Sequence, residues 1–257
     1  MNLCNLLIII YFNAVGLDIL NTKENNPEQK EDAVENTAPK PVVTNVLLIR
    51  HGENDWVGTD RLAGRTPGVH LNEKGRNQAQ ALAETLATQP IAAIYSSPLE
   101  RCRETAQPTA DRLGLPVQTF EHVLEADYGE WQGQSLKELA KLPAWHAVQY
   151  HPSSFTFPGG ESMRNMQQRA VSGLELLHAQ HPNQTVAVFS HADIIRLTLA
   201  HYLGIPIDLF QRVLISTASI SVVMFHNGRP SVFVVNQQQE LPKFEIAKPE
   251  AKETESA

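Results

Sequence analysis

Continuous runs of apolar residues, rather than alternating ones, mark the strands along the central part of this chain. Such runs are typical of strands buried on both faces, as in a parallel sheet covered by helices. Six strands are predicted in this way, at Val42–Ile49, Ile91–Ser96, Val117–Phe120, Thr185–Phe189, Ile220–Phe225 and Val232–Val235.

Between these runs, apolar residues recur at steps of three and four, the period of a helix with one buried face. The stripes comprise Ala79, Leu82, Ala83 and Leu86; Leu99, Cys102, Ala106, Ala110 and Leu113; Met163, Met166, Ala170, Leu174 and Leu177; and Ile195, Leu199 and Leu203. Strands that alternate with helices predict an α/β fold, here a three-layer sandwich. We expect a mostly parallel six-stranded sheet with helices on both faces.

Residues 121–160 interrupt this alternation, because glycine and proline recur along them up to the pair Gly159-Gly160. Long excursions between strands often form a lid or a pocket wall. We expect such a role for this segment.

Composition sets the predicted domain limits. Residues 21–41 and 240–257 are rich in charged residues and poor in apolar ones, which is typical of disorder. We therefore predict a largely disordered extension over 1–41, one folded domain over 42–239 and a disordered acidic tail over 240–257.

The apolar run Leu6–Phe12 bears on cellular location. It is too short for a transmembrane helix, which needs about 20 apolar residues. No basic residue precedes Lys23, whereas a secretory signal begins with a basic region. The two cysteines, Cys4 and Cys102, do not suggest a disulfide framework. We expect a cytoplasmic protein without stable membrane association, and secretion is kept as the minor alternative.

The formal net charge of -7 carries no electrostatic signature of a nucleic-acid-binding protein. We therefore expect no nucleic-acid partner. A homodimer is left open, because nothing in the sequence decides the oligomeric state.

Three of the predicted strands end in residues suited to binding an anion. Arg50-His51-Gly52 follows the first strand, Ser97 to Arg101 follows the second, and Ser190-His191 follows the fourth. The carboxyl ends of parallel strands meet at one edge of a sheet, where open α/β proteins bind ligands. Arginines bind phosphate in a bidentate manner, and helix N-termini add backbone N–H groups. The sequence therefore predicts an anion site at this edge.

The same segments, in the same order, resemble the histidine phosphatase superfamily, the phosphoglycerate mutase-like proteins. The matching segments are Leu48–Glu53, Leu71–Gly75, Ser96–Arg101, Leu124-Glu125 with Gly129–Gly133, Gly159–Ser162 and Ser190-His191. Residues 62–68 are similar to a subgroup described as probable phosphomutases. The resemblance implies a phosphoglycerate mutase-like fold and a small phosphorylated metabolite as the binding partner.

The resemblance also implies residue roles. His51 is implied as the nucleophile that forms a phosphohistidine, and Glu125 as the acid that protonates the leaving group. Arg50, Arg101 and His191 are implied to bind the phosphoryl oxygens. Arg50 should also disfavour the imidazolium form of its neighbour His51. Neither a metal nor a cofactor is expected, because these side chains supply the positive charge.

Further candidates for substrate contact are Asn54, Gly64, Arg65 and Ala192. The family often has an asparagine six residues after the nucleophile, and this chain has Val57 there. Asn54 is a candidate to replace that missing donor.

Two weaker features leave alternatives open. Glu161 with Ser162 either opens a helix after the glycine pair or contributes to the pocket. His178 and His181 lie three residues apart without an apparent third ligand, which favours a surface role over a metal site.

A phosphomonoester phosphatase is the leading hypothesis, and a cofactor-dependent phosphoglycerate mutase is the alternative. Dedicated mutases carry a longer basic insertion, whereas Lys137 and Lys141 are the only Lys or Arg residues in 121–160. That difference favours hydrolysis. A phospho-ligand binding protein without catalysis is the third hypothesis, and the intact set of implied site residues argues against it.

Overall fold

The computed structural model describes residues 41–238, so the predicted extension and the predicted acidic tail lie outside the described residues. The strands are β1 Val43–Arg50, β2 Ile91–Ser96, β3 Val117–Thr119, β4 Thr185–Ser190, β5 Ile220–His226 and β6 Arg229–Gln237. The helices are α1 Glu73–Leu86, α2 Glu100–Leu113, α3 Leu136–Leu139, α4 Pro143–Tyr150, α5 Met163–Gln180 and α6 Ala192–Tyr202.

The strands form one sheet in the order β3-β2-β4-β1-β5-β6. Strand β1 pairs in parallel with β4, β4 pairs in parallel with β2, and β2 pairs in parallel with β3. Strand β5 is antiparallel to β1, and β6 is antiparallel to β5. The predicted mostly parallel sheet of six strands is therefore confirmed.

Helices cover both faces of this sheet. Neighbouring residues of a strand point to opposite faces, so the side chains of β1 enter two different cores. Val46 and Leu48 of β1 pack in one core with residues of α5 and α6. Leu47 and Ile49 pack in a second core with residues of α1 and α2, which include Cys102. The three-layer sandwich is confirmed, and Cys102 is the buried core residue that its position in the stripe predicts.

The prediction for Val232–Val235 needs correction. The strand that contains it, β6, lies at the edge of the sheet, and Phe233 within it is 67% exposed. A continuous apolar run indicates a strand, but it does not tell an edge strand from a central one. The number of neighbours in the sheet decides this difference.

Residues 121–160 form a packed wall with little regular structure beyond α3, α4 and short 3₁₀ turns. Trp131 packs against Phe155 and Phe157, with ring centroids 5.4 and 5.5 Å away. A Cβ on Gly129 would lie 2.1 Å from the carbonyl oxygen of Pro158, so only glycine allows this close approach. Along residues 41–238, no helix has both the length and the apolar character needed to cross a membrane.

Candidate active site

The carboxyl ends of β1 and β4 open into a cavity of about 510 Å³. The predicted site residues that line it are Arg50, His51, Asn54, Gly64, Arg101, Glu125 and Ala192. His191 is fully buried directly behind this lining, in contact with Arg101. The fold therefore brings together residues that lie up to 142 positions apart in the chain.

His51 is held in the orientation and protonation state of a nucleophile. Its Nδ1 lies 2.7 Å from the carbonyl oxygen of Gly52. Since a carbonyl can only accept, Nδ1 carries the proton and the lone pair of the neutral ring is on Nε2. Burial lowers the pKa of His51 well below 6.5, and the guanidinium groups of Arg101 and Arg50 lower it further. The ring is therefore neutral at physiological pH.

The loop after β1 is fixed by its contacts with two helices. The amide of Gly52 donates to Thr105 Oγ1 of α2 at 2.9 Å. A Cβ on Gly75, at the start of α1, would lie 2.0 Å from the carbonyl oxygen of Glu53. Asn72 caps α1 by accepting from the amide of Gly75 at 2.8 Å. The Leu71–Gly75 segment thus packs against the loop after β1 and supports it.

The two predicted phosphate-binding arginines line the cavity together with His51, and Arg101 is buried while Arg50 is partly exposed. Arg50 donates from Nη1 to the carbonyl oxygen of Ile215 at 2.8 Å. Arg101 is 1% exposed and donates from Nη2 to the carbonyl oxygen of Gly64 at 2.9 Å. Within the described chain, Arg50 Nε and Arg101 Nη1 have no hydrogen-bond partner. Buried donors of this kind normally have an acceptor, and an anion could supply it.

His191 is the N-cap residue of α6 and is held between two side chains. Its Nε2 lies 2.8 Å from Ser97 Oγ, and its Nδ1 lies 3.1 Å from Arg101 Nη2. Because a guanidinium only donates, Nδ1 accepts this bond and Nε2 carries the ring proton. Burial lowers the pKa of His191 well below 6.5, and Arg101 adds to the effect. The ring lies 5.4 Å from that of His51 between centroids.

Glu125 lies close to Arg101 and His191. Its Oε2 lies 3.7 Å from Arg101 Nη2 and 3.4 Å from His191 Nδ1. Burial raises the pKa of Glu125 to about 7, because the lowering effect of Arg101 does not offset the loss of water. A carboxyl group with a pKa near 7 can both donate and accept a proton at physiological pH.

Three of the further candidates line the cavity in distinct ways. Asn54 uses Oδ1 to accept from the amides of Trp56 and Val57, which leaves its Nδ2 as the group for substrate contact. Gly64 adopts φ +51 and offers its carbonyl oxygen to Arg101. Ala192 begins α6, whose N-terminus has no side-chain cap, so its amide is available to an anion.

Arg65 does not line the cavity. Its guanidinium bonds the carbonyl oxygen of Glu125 at 2.9 Å, Asp127 at 3.2 Å and Glu161 at 2.8 Å. Glu161 likewise lies outside the cavity lining, while Ser162 caps α5. The role of Arg65 in substrate contact stays a prediction.

Sequence analysis missed three residues of the cavity wall. Tyr128 donates its hydroxyl to Asp193 at 3.0 Å, and Arg196 bonds the same carboxylate at 2.8 Å. All three line the cavity. Sequence analysis could have found Asp193 and Arg196 from their position. Both lie in the first two turns of the helix that follows Ser190-His191, at the predicted ligand-binding edge.

The described residues hold no group of three or more His, Cys, Asp or Glu side chains arranged as metal ligands. His178 stacks on the ring of Phe225 at 4.5 Å, and His181 lies 2.9 Å from the hydroxyl of Tyr95. These two histidines therefore have structural partners.

Comparison with known proteins identifies the family. The model of the histidine phosphatase superfamily (branch 1) matches residues 46–238. This chain belongs to the histidine phosphatase superfamily. The match covers every residue of the cavity described above.

Several relatives are named as phosphatases. Phosphoserine phosphatase 1 of Hydrogenobacter thermophilus is 32% identical over 203 residues, covering 78% of this chain and 96% of its own length.

A longer relative matches over part of its length. A bifunctional protein of Mycobacterium tuberculosis is 35% identical over 205 residues, which cover 78% of this chain but only 56% of the relative.

Solved structures match the fold. The mycobacterial glucosyl-3-phosphoglycerate phosphatase matches with a TM-score of 0.69 and 27% identity, over 76% of this chain and 100% of its own. The Entamoeba histolytica phosphoserine phosphatase, solved in complex with 3-phosphoglyceric acid, matches with a TM-score of 0.69 and 26% identity, over 76% and 98%.

Proposed function

We propose that this protein hydrolyses phosphate monoesters of small metabolites through a phosphohistidine on His51. The observation that carries the proposal is the arrangement of His51 in the cavity. Its Nδ1 proton faces the carbonyl of Gly52, which leaves the lone pair on Nε2, and Arg50 and Arg101 line the same cavity. Glu125 supplies a proton donor with a pKa of about 7 in the same cavity.

The reaction has two steps. In the first, His51 Nε2 attacks phosphorus, the bond from phosphorus to the ester oxygen breaks, and Glu125 gives its proton to that oxygen. In the second, the Glu125 carboxylate takes a proton from water while the water oxygen attacks phosphorus. The phosphorus–nitrogen bond then breaks and releases inorganic phosphate. Arg50 and Arg101 stabilise the phosphoryl oxygens in both steps.

The cavity has room for more than a phosphoryl group, which supports a small organic substrate. Arg61 lies over the ring of Trp56 at 5.8 Å, and both residues line the cavity. This guanidinium favours a second polar or anionic group on the substrate. Phosphoserine and 3-phosphoglycerate, which occur in the names of relatives and of their complexes, belong to this class of ester. They are therefore the first substrates to test.

The experiment is a phosphate-release assay with purified protein in EDTA. p-Nitrophenyl phosphate and a panel of alkyl phosphates, including phosphoserine and 3-phosphoglycerate, serve as substrates. We expect turnover by the wild type, loss of all turnover in His51→Ala, and a phosphorylated histidine trapped by rapid acid-free quenching of the wild type. Unchanged turnover in the variant would reject His51 as the nucleophile.

A phosphoglycerate mutase is the second candidate, since one relative is named phosphoglycerate mutase-like protein 4 of Arabidopsis thaliana. Neither Lys137 nor Lys141 lines the cavity, so the basic residues of 121–160 offer no site for a second phosphate there. Efficient interconversion of 2- and 3-phosphoglycerate after priming with bisphosphoglycerate would favour the mutase. A cytoplasmic location and a homodimer stay predictions.

A further inference from the structure

The segment that carries Glu125 is held by side chains instead of by a β-ladder. It follows β3 as a 3₁₀ turn at Glu121–Val123 and then runs on without strand pairing. Five carbonyl groups in succession, from residue 121 to residue 125, nevertheless accept hydrogen bonds from side chains. The donors are Arg169 to Glu121, His122 and Leu124, Ser190 to Val123, and Arg65 to Glu125.

Glu161 joins the two arginines that make these bonds. Its carboxylate accepts Nε of Arg169 at 3.1 Å and Nη2 at 3.0 Å, which is a bidentate pair. The same carboxylate accepts Nη2 of Arg65 at 2.8 Å. Both arginine side chains and the glutamate are about one-quarter exposed or less, so solvent screens the pairs only in part. One carboxylate thus fixes two guanidinium groups against the same stretch of backbone.

We propose that Arg65, Glu161 and Arg169 form a clamp that positions the Glu125 carboxyl group for proton transfer. The clamp binds the backbone at Leu124 and Glu125, while the Glu125 carboxyl group lies 3.7 Å from Arg101 and 3.4 Å from His191. None of the three clamp residues lines the cavity, so they act as positioning residues. The inference rests on the proposed role of Glu125 as the acid.

Positioning of Glu125 by the clamp predicts a kinetic effect that a purely structural role of Arg65, Glu161 and Arg169 does not. A carboxyl group displaced by about 1 Å loses proton transfer steeply, while attack by His51 is unaffected. p-Nitrophenolate leaves without protonation, whereas an alkoxide needs it. The second step uses Glu125 for every ester, so the difference lies in the first step, which kcat/KM measures. A loosened clamp therefore lowers kcat/KM for alkyl esters and spares kcat/KM for p-nitrophenyl phosphate.

Arg169→Gln tests the clamp against Arg164→Gln as the matched control. Arg164 lies on the same helix and also bonds a carbonyl, that of Ser153 at 2.7 Å, away from Glu125. For Arg169→Gln, kcat/KM for the best alkyl ester of the panel should fall about 10- to 100-fold, and kcat/KM for p-nitrophenyl phosphate should stay within about threefold. Arg164→Gln should leave both values unchanged.

The pH profile gives a second readout. Water that reaches a loosened Glu125 lowers its pKa from about 7 towards 4.5, so the fall in alkyl-ester turnover at high pH should move to lower pH. Equal losses on both esters, or an unchanged profile with unchanged turnover, would overturn the clamp.

Glu161→Gln keeps the shape of the joining residue, and it carries the test if Arg169→Gln does not fold. It should show the same ester dependence. Glu125→Gln separates the two proposals. If it slows both esters equally, the acid assignment fails, whereas if it slows only the alkyl ester and the clamp variants do not, the clamp alone fails.

Discussion

His51 and Glu125 face the same cavity, but the backbone under each is held differently. His51 directly follows β1, which pairs with β4 on one side and β5 on the other. Glu125 lies outside the sheet, where Arg65 bonds its carbonyl oxygen and Arg169 bonds that of Leu124. A nucleophile at a strand end takes its position from the whole sheet, whereas the acid depends on a few side chains.

This contrast predicts two kinds of defect. Changes near His51 should slow every substrate alike, because each reaction begins with attack on phosphorus. Changes near Glu125 should discriminate between leaving groups. The following experiments test that division, from the largest expected effect to the smallest.

Glu125→Gln should show the largest ester dependence. It removes the proton donor and keeps the shape, so kcat/KM for an alkyl ester, which reports the first step, should fall about 10²- to 10⁴-fold. p-Nitrophenyl phosphate should lose much less, because its leaving group is a weak base. Steady-state kinetics on both esters measure the ratio, and equal losses would reject Glu125 as the acid.

Gly75→Ala should damage the region of His51. The new Cβ would lie 2.0 Å from the carbonyl oxygen of Glu53, so the loop after β1 has to shift. We expect the free energy of unfolding to fall by about 1–3 kcal/mol, and turnover of both esters to fall by the same factor. Urea denaturation and kinetics check this.

Asn77→Ala is the matched control, because Asn77 is exposed on the same helix. Alanine normally favours a helix over glycine or asparagine, so the control should be neutral or slightly stabilising. A stabilised Gly75→Ala variant with full activity would show that the close approach does not hold the loop.

The smallest effect concerns the pH dependence of the wild type. Glu125 donates in the first step only when protonated, so kcat/KM for an alkyl ester should fall as pH rises through about 7, by about tenfold per unit above it. The lowered pKa of His51 keeps the nucleophile neutral, so its own limb lies well below pH 6.5. The ratio of kcat/KM for the alkyl ester to kcat/KM for p-nitrophenyl phosphate cancels every ionisation that affects both substrates alike. A ratio independent of pH between 6 and 9 would contradict the assignment.

The fold was largely predictable because it follows from local patterns. Apolar runs and helical stripes gave the strand and helix positions, and three strand ends with Arg, His and Ser predicted one shared edge. The pattern did not show that β6 is an exposed edge strand, since burial depends on how many neighbours a strand has. It also gave no structure for residues 121–160, whose packing rests on aromatic side chains such as Trp131 and Phe155.

The residues of the site likewise fall into those that the sequence predicted and those that it did not. His51, Arg50 and Arg101 follow from motifs next to strands, whereas Asp193 and Tyr128 are far apart in sequence and meet only in the folded chain. Arg65 shows the limit of the motif most clearly. The residues next to it in sequence predicted substrate contact, which stays a prediction, but they did not predict that its guanidinium bonds Glu125, Asp127 and Glu161.

The sequence by itself predicted the layered α/β architecture, the family and the residues that we propose to contact the phosphoryl group. It could do so because strand ends in a parallel sheet converge wherever the helices pack. Only the tertiary structure decided the tautomer of His51, the raised pKa of Glu125 and the hydrogen bonds that join Arg65, Glu161 and Arg169. Each of these depends on burial and on partners distant in the chain, which no local pattern of residues contains.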